Sequence, residues 1–313
     1  MFQKILQAIK DYDRIILHRH GRPDGDAMGS QIGMQQIILE NFPNKQVYMV
    51  GDKPGFFGFM EGASVDEIPD SFYDGALAII LDCGSKSMVS DDRYHLAAKT
   101  VRLDHHIFCE QVADIEVVDT SFESCCGLVT EFVSQCGLKL NKLAAKSLYT
   151  GMVTDSGRFR YDGTTARTFR LASVLMEQQF DTNELFRDLY ADDFAAKQLK
   201  AKFILKINFT KNNVAYIYTT FEELQALNAD TFTVSRGMTN TMADIKGVDI
   251  WVNFTETEKG VLCELRSSKF NINPIAVKYG GGGHAKASGA TVESKDIAMA
   301  MLADLDDMMG ENQ

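Results

Sequence analysis

Short apolar segments alternate with longer segments of helical periodicity through the first half of the chain. The short segments predict strands over residues 14–18, 46–50, 76–81, 100–103 and 115–118. The longer segments predict helices over residues 29–40, 124–136 and 143–154, after an N-terminal helix over residues 1–10. Strands joined by crossover helices are typical of a parallel sheet, so we expect an α/β domain whose mostly parallel sheet is flanked by helices.

The second half of the chain has a different pattern. Residues 164–203 are charged and follow a helical pattern, which predicts a helical connector. Segments rich in β-branched and aromatic residues then predict strands over residues 214–220, 251–255 and 261–265. Ser294 is a candidate N-cap for a final helix that reaches Met308. We therefore expect a smaller α+β domain in the C-terminal part.

The length of the chain agrees with this division. The chain has 313 residues, and roughly 150 residues per domain gives two domains. From the change in pattern we place the first domain at residues 1–180, the helical connector at 181–204 and the second domain at 205–313.

Charge and cysteine content restrict the class of protein. The formal net charge is −11, from 32 Lys plus Arg and 43 Asp plus Glu, and an acidic surface disfavours binding of long nucleic acids. The six cysteines form no C-x-x-C pair, so we interpret them as reduced thiols of a cytoplasmic protein. The sequence shows neither a signal peptide nor an apolar run long enough to span a membrane, and we expect no membrane association.

Four clusters of carboxylate and imidazole residues stand at the ends of the predicted elements. In chain order they are His20, Asp24 and Asp26; Asp82; Asp104, His105 and His106; and Asp155. In open α/β sheets, ligands bind beyond the carboxyl ends of the strands. We therefore expect these clusters to meet at one edge of the sheet.

Each cluster alone has an ordinary structural explanation. Asp24 and Asp26 could cap a helix, Asp82 could face solvent, and a lone pair of histidines is usually structural. Four such clusters are hard to explain as four independent caps. Because carboxylate oxygens and imidazole nitrogens both bind divalent metals, the clusters together predict a binuclear metal site.

The ordered set of motifs resembles the DHH phosphoesterases, a family named after the triplet found here at residues 104–106. Residues 20–30 resemble the opening motif of the family, Asp82 its second carboxylate motif, and residues 155–157 its fourth motif. Residues 280–284, with Ser288 and Gly289, resemble the glycine-rich motif of the associated C-terminal domain. The resemblance covers nearly the whole chain, and five motifs in order are more specific than any one of them.

The resemblance implies a set of ligands and roles. One metal would be held by His20, Asp24 and Asp82, and the other by Asp26, His105, Asp155 and a bridging Asp82. The metal would be Mn²⁺, which the carboxylate-rich ligand set also favours, with Mg²⁺ or Co²⁺ as substitutes. Asp104 would orient a neighbouring imidazole, His106 would face the substrate phosphate, and a hydroxide that bridges the metals would be the nucleophile.

The glycine run at residues 280–283 has two interpretations. Consecutive glycines often form a flexible connection. Here, however, Asn273 as N-cap and Pro274 predict a short helix over residues 274–279 that leads directly into the glycines, whose backbone N–H groups could then approach phosphate oxygens. The resemblance favours phosphate binding, with substrate contacts from Arg266, Ser267, Ser268, Gly282, Gly283 and His284.

Two residues near the predicted site have more than one interpretation. His18 precedes His20 by two residues and could compete as a ligand, although the spacing to Asp24 favours His20. Cys83 stands directly after Asp82, and we interpret its thiol as a buried filler rather than a soft metal ligand.

Within the family, the chain resembles the compact two-domain branch that includes nano-RNases. This resemblance implies a metal-dependent phosphoesterase that hydrolyses short oligoribonucleotides to mononucleotides, 3′-phosphoadenosine 5′-phosphate to AMP, or both. An inorganic pyrophosphatase or exopolyphosphatase with the same metal cluster is one alternative, and a non-catalytic nucleotide-binding regulator is another. The expected partners are short RNA or nucleotides, without long nucleic acid or membrane, for a monomer or homodimer.

Overall fold

The computed structural model describes residues 2–227 and 229–311. The chain divides into two compact units, with the boundary between residues 191 and 192. The first unit carries the carboxylate and imidazole clusters, and the second unit carries the glycine run.

The first unit contains a parallel sheet. Within residues 2–191 the strands are β1 (Arg14–His18), β2 (Gln46–Met49), β3 (Leu77–Leu81), β4 (Lys99–Asp104) and β5 (Ile115–Val118). The strand order is β2-β1-β3-β4-β5, and every neighbouring pair is parallel. The sequence predicted each of these strands to within one residue at either end, so the prediction of a parallel sheet is confirmed.

The helices of the first unit pack on this sheet. In the same range they are α1 (Phe2–Asp11), α2 (Gly25–Asn41), α3 (Cys125–Cys136), α4 (Lys142–Asp155), α5 (Ala166–Met176) and α6 (Thr182–Tyr190). Short 3-10 helices occupy Gly55–Phe59, Asp70–Tyr73, Lys86–Met88 and Asp92–Leu96. Helix α2 begins four residues before its predicted start.

Strand β3 is buried along its whole length, because both faces of the sheet are covered. Leu77, Ile79 and Leu81 belong to the large core formed with the helices, whereas Ala78 and Ile80 pack in a smaller cluster on the opposite face. A continuous apolar run is typical of such a central parallel strand. The strand therefore delivers the residue that follows it, Asp82, to the carboxyl edge of the sheet.

Helices α2 and α4 lie unusually close together, because glycines stand at their contact. A β-carbon on Gly29 would lie 2.4 Å from the carbonyl oxygen of Ser147, and one on Gly151 would lie 3.0 Å from the Cα of Asp26. No larger side chain fits at these positions without displacing the neighbouring helix. The close approach brings the first turn of α2 next to the last turns of α4.

The second unit is built on a mixed sheet. Its strands within the described part of residues 192–311 are β6 (Asn208–Phe209), β7 (Ala215–Thr219), β8 (Ile250–Thr257), β9 (Gly260–Ser267), β10 (Gly282–His284) and β11 (Ala287–Val292). Its α-helices are α7 (Phe194–Leu205), α8 (Phe221–Ala226), α9 (Asn273–Lys278) and α10 (Lys295–Glu311), with a π-helical turn at Thr233–Gly237 and a 3-10 helix at Thr239–Met242. The strand order is β10-β11-β9-β8-β7-β6, in which β7 and β8 are parallel and the other pairs antiparallel.

The expected α+β character of this part is confirmed, with one difference at helix α9. The helix begins at Asn273 itself and Ile272 occupies the cap position, so the prediction of Asn273 as N-cap is wrong. The side-chain amide of Asn273 (Nδ2) instead donates to the carbonyl oxygen of Gly283 over 2.8 Å, a tertiary contact that sequence does not reveal. At helix α10, Ser294 accepts a hydrogen bond from the backbone N–H of Ile297, as expected for a cap.

In the described ranges, 2–227 and 229–311, no helix has the length and apolar character needed to cross a membrane.

Candidate metal centre

The residues predicted as metal ligands come together at the carboxyl edge of the parallel sheet. Strand β1 leads to His20, β3 leads to Asp82, and β4 ends at Asp104 and leads to His105 and His106. Helix α2 begins beside Asp24 and contains Asp26, and helix α4 ends at Asp155. Residues that are up to 135 positions apart in sequence therefore meet at one edge.

Asp82 lies at the centre of this cluster. Its Oδ2 lies 3.5 Å from Nε2 of His20, and its Oδ1 lies 3.5 Å from Nε2 of His105. The same Oδ1 lies 3.7 Å from Nδ1 of His106. One carboxylate thus faces imidazoles from two different strand ends, which is the geometry expected of a bridging ligand.

The remaining carboxylates flank Asp82 on two sides. On one side, Oδ1 of Asp24 lies 3.6 Å from Nε2 of His20. On the other side, Nε2 of His105 lies 3.7 Å from Asp26 and 3.4 Å from Asp155. The candidate ligand atoms fall into three groups, each with all atoms within 4.8 Å of one another: His20, Asp24 and Asp82; Asp26, His105 and Asp155; and Asp82, His105 and His106.

The chemistry of Asp82 fits a metal ligand. The residue is 2% exposed, and its Oδ1 has no hydrogen-bond partner among the described residues. A buried carboxylate oxygen without a partner is costly, and a cation is the ligand that would satisfy it. The backbone of Asp82 has a φ of 56°, a left-handed conformation that is uncommon outside glycine and frequent at functional sites.

Backbone carbonyl groups orient the two imidazoles. Nδ1 of His20 lies 2.8 Å from the carbonyl oxygen of Gly21, and Nδ1 of His105 lies 3.4 Å from that of Phe122. A carbonyl oxygen only accepts, so each Nδ1 carries a proton and each Nε2 is the nitrogen that would bind a cation, once its own proton is displaced. Such contacts are typical of metal-binding histidines.

Asp26 is held by a feature that the sequence does not reveal. Its Oδ2 accepts from the backbone N–H of Cys125 over 2.6 Å, and its Oδ1 accepts from that of Cys126 over 2.8 Å. These are the first two amides of helix α3, where free N–H groups and the helix dipole stabilise an anion. The side chains of both cysteines are buried in the core. The two cysteines contribute to the site through their backbone N–H groups, and the residue type does not indicate such a contribution.

Asp24 serves the helix and the cluster together. Its Oδ1 accepts from the backbone N–H groups of Asp26 and Ala27, each over 3.0 Å, so it is the N-cap of α2. The two interpretations of this residue in the sequence, helix cap and ligand, are therefore compatible. Capping fixes the carboxylate beside His20.

In the absence of cations, the cluster retains protons. Burial lowers the pKa of His20, but hydrogen bonds to Asp24 and Asp82 outweigh burial and raise the pKa to about 11. The same balance, with Asp82 as the main partner, raises the pKa of His105 to about 10. Burial raises the pKa of Asp155 to about 7. Binding of cations must displace these protons.

His106 stands at the rim of the cluster and is oriented by Asp104. Its Nδ1 lies 2.7 Å from Oδ1 of Asp104, and its side chain is 39% exposed. The hydrogen bond to Asp104 raises the pKa of His106. Because Nδ1 donates to the carboxylate, Nε2 is the nitrogen available to a ligand.

His18 and Cys83 lie outside the groups of candidate ligand atoms. The ring of His18 is fully buried, with Nδ1 3.1 Å from the carbonyl oxygen of Asp91 and Nε2 3.4 Å from the hydroxyl of Tyr73. The thiol of Cys83 is buried and donates to the carbonyl oxygen of Leu81. These contacts fit the interpretation of Cys83 as a filler and of His20 as the ligand.

The glycine run of the second unit forms a helix end and a hairpin. The amides of Gly280 and Gly281 bond to carbonyl oxygens of α9, and Gly282 and Gly283 belong to β10. A β-carbon on Gly283, whose φ is 133°, would lie 2.6 Å from the carbonyl oxygen of Ala287 across the hairpin. Glycine is therefore required for close packing here. Gly283 and His284 are exposed, which leaves both accessible to a ligand.

The other predicted substrate contacts have partners within the second unit. Arg266 lies 3.2 Å from Glu264, and its side chain is 16% exposed. The hydroxyl of Ser267 donates to the carbonyl oxygen of Asp249 and accepts from two backbone N–H groups, so it stabilises the turn after β9. Ser268 is exposed and contacts Asp249.

Comparisons with known proteins agree with these motifs. Residues 14–152 match the DHH family, N-terminal domain, and residues 213–311 match the DHHA1 domain. The chain is 34% identical over 316 residues to the bifunctional oligoribonuclease and PAP phosphatase NrnA of Bacillus subtilis, covering all of both chains. The chain belongs to the DHH family. The expected family and the expected phosphoester hydrolase are thereby confirmed.

Further relatives extend the DHH family match over the whole chain. A probable bifunctional oligoribonuclease and PAP phosphatase NrnA of Streptococcus mutans is 35% identical over 301 residues, which cover 95% of this chain and 96% of the relative. The crystal structure of an exopolyphosphatase-related protein from Bacteroides fragilis has the same fold, with a TM-score of 0.86, 23% identity and coverage of 99% and 97% of the two chains.

Proposed function

We propose that this DHH-family protein hydrolyses short oligoribonucleotides to mononucleotides and 3′-phosphoadenosine 5′-phosphate to AMP, with two divalent cations bound at the candidate metal centre. The observation that carries the proposal is the buried Asp82 carboxylate, whose Oδ1 has no hydrogen-bond partner among the described residues and lies 3.5 Å from Nε2 of His105. The bacterial relatives that match over the full length are named for these two activities.

The residues of the centre fit two cations. His20, Asp24 and Asp82 would hold one cation, and Asp26, His105 and Asp155 would hold the other together with Asp82. We propose Mn²⁺ as the cation because the set combines hard oxygen ligands with imidazoles. When bound, the two cations would supply Lewis acidity that activates water and neutralises charge on the phosphate.

The protein's own residues position the ligands and face the substrate. The amides of Cys125 and Cys126 hold Asp26 in place, and the carbonyl oxygens of Gly21 and Phe122 fix the imidazoles. His106 presents Nε2 to a non-bridging oxygen of the scissile phosphate. Asp104 keeps that ring in position.

The charge of the chain favours a short substrate. A net charge of −11 repels long phosphodiesters, whereas one or two phosphates can be bound locally by cations and a few donors. In the second unit we propose Arg266, Ser268, Gly282, Gly283 and His284 as phosphate contacts. Ser267 would act through the turn that its hydroxyl stabilises.

All six cysteines are free thiols, which fits the cytoplasm as the compartment.

A substrate panel tests the proposal. Purified protein with Mn²⁺ is offered pApA, RNA of two to five nucleotides, a 24-nucleotide RNA, 3′-phosphoadenosine 5′-phosphate and pyrophosphate. We expect turnover of the short RNAs and of 3′-phosphoadenosine 5′-phosphate, and little of the long RNA. Turnover of pyrophosphate alone would replace the proposal with a pyrophosphatase. Tight binding of nucleotides that remain intact would replace it with a regulator.

A further inference from the structure

Arg102 is a fully buried arginine in the middle of strand β4. Its neighbours Val101 and Leu103 belong to the large core, whereas Arg102 and Asp104 alternate with them and occupy the opposite face of the strand. Burying a guanidinium is costly unless its charge is paired. Both Nη atoms of Arg102 have partners, whereas its Nε has none among the described residues. The contacts of Arg102 therefore indicate what the side chain is for.

The guanidinium connects three segments that meet beside the metal centre. Nη2 donates to Oδ2 of Asp104 over 2.5 Å and to the carbonyl oxygen of Gly84 over 3.1 Å. Nη1 donates to the carbonyl oxygen of Glu110 over 3.1 Å and to Oε1 of Glu116 over 3.3 Å. Gly84 follows Asp82 by two residues, and Glu110 follows His106 by four.

Asp104 transmits this arrangement to His106. The Asp104 side chain is fully buried, and Arg102 occupies its Oδ2 while Oδ1 faces Nδ1 of His106 over 2.7 Å. A carboxylate with one oxygen engaged by a buried arginine cannot rotate freely. Its other oxygen therefore has a fixed direction, and so has the ring that donates to it.

Glu116 fixes the segment beyond the two histidines. Its Oε1 accepts from the backbone N–H groups of Val112 and Ala113 over 2.7 Å and 3.1 Å, in addition to Nη1 of Arg102. The loop that carries His105 and His106 is thus bound to Arg102 at Asp104, at Glu110 and at Glu116. A lysine donates from a single nitrogen and cannot reach all of these acceptors, whereas the planar fork of arginine can.

We propose that Arg102 is a positioning residue for His106: it fixes Asp104 and the following loop so that the ring of His106 faces the scissile phosphate. This role rests on the proposed phosphoesterase function. It does not require Arg102 to touch substrate or cation, from which its complete burial separates it.

The first test is a double-mutant cycle on kcat. Arg102→Gln removes the charge and shortens the side chain, and we expect kcat for pApA to fall by about 10–100-fold, the range typical of residues that orient ligands from behind. Metal content should be unchanged. In a His106→Ala background, Arg102→Gln should cause no further loss of kcat, because its effect passes through His106. Arg102→Lys should retain part of the kcat that Arg102→Gln loses, since lysine keeps a positive charge beside the Asp104 carboxylate.

The second test does not depend on activity. In ¹⁵N-histidine spectra of the metal-free protein, the Nδ1–H proton bound to Asp104 should give a downfield resonance, assigned by its absence in His106→Ala. We expect Arg102→Gln to broaden or shift this resonance and Arg102→Lys to retain it. Arg93→Lys is the matched control: Arg93 also binds two carboxylates in this unit, Asp91 and Asp70, and its replacement should leave kcat and the resonance unchanged.

The results that would contradict the positioning role of Arg102 differ from those that would contradict the proposed function. An equal loss of kcat from Arg102→Gln with and without His106, or no loss at all, would overturn the positioning role, as would an unaltered Nδ1–H resonance. If Arg102→Gln does not fold, the same cycle and spectra are taken with Arg102→Lys, for which a smaller loss through His106 is expected. If the wild-type protein hydrolyses no nucleotide, the proposed function fails, and the resonance alone then decides whether Arg102 fixes His106.

Discussion

Asp82 is the residue whose replacement should damage the metal centre most. Asp82→Asn removes one negative charge while keeping nearly the same shape. Asparagine also tolerates the left-handed backbone of this position, where φ is 56°, better than alanine does. The expected result is loss of both cations and of turnover, because one carboxylate faces the imidazoles on both sides of the centre.

The magnitude follows from distance and burial. Unit charges about 4 Å apart attract by about 4 kcal/mol at an effective dielectric constant near 20. Asp82 is 2% exposed, so solvent replaces little of this attraction. Since about 1.4 kcal/mol corresponds to tenfold in affinity, losing one such interaction weakens cation binding about 1,000-fold.

The assay is metal content per chain after gel filtration, together with hydrolysis of pApA. Circular dichroism of the same samples shows whether the variant is folded. Asp91→Asn is a matched control, since Asp91 is a half-buried carboxylate that pairs with Arg93 rather than with the centre. A folded Asp82→Asn protein that retains two cations would refute the assignment of Asp82 as the bridge.

Three further outcomes are expected. Gly151→Ala forces a β-carbon to within 2.2 Å of Sγ of Cys126. We expect this variant to be less stable by about 1–3 kcal/mol in urea titrations and to bind cations more weakly. Wild-type stability together with wild-type cation affinity would contradict the packing argument. Affinity for Mn²⁺ should increase from pH 6 to pH 9, because pKa values of about 11 at His20 and about 10 at His105 mean that binding releases protons. Calorimetry in buffers of different ionisation enthalpy measures this proton release. An affinity that does not change with pH would contradict the prediction. His284→Ala should raise KM for nucleotides several-fold while metal content persists, and loss of metal in this variant would show that the residue acts in another way.

Much of the first unit could be predicted from sequence because its strands are buried on both faces. A continuous apolar run such as residues 77–81 followed by Asp82 indicates both a central parallel strand and a polar group at its carboxyl end. The candidate ligands were found for the same reason. Each of them follows or ends an element, where a polar residue next to an apolar run is conspicuous.

The parts that sequence did not predict depend on tertiary contacts. Gly29 lies against Ser147 and permits the close approach of α2 and α4, a contact that the residue type alone does not show. The backbone amides of Cys125 and Cys126 hold Asp26, and amides are present at every helix N-terminus. Arg102 resembled an ordinary polar residue within a short strand until its complete burial was known.

The glycine run shows how one pattern can satisfy two demands. Sequence favoured backbone N–H groups that face phosphate, and the structure places two of these amides at the end of α9. Gly283 is required by its positive φ and by the hairpin partner. The exposed Gly283 and His284 remain candidates for phosphate contact, and their role in substrate binding stays a prediction.

The most direct measurement is an anomalous difference map from crystals of the protein grown with Mn²⁺. We expect two peaks on either side of Asp82, one next to His20 and Asp24 and the other next to Asp26, His105 and Asp155. A map without density between these side chains, or with manganese bound only elsewhere on the protein, would contradict it.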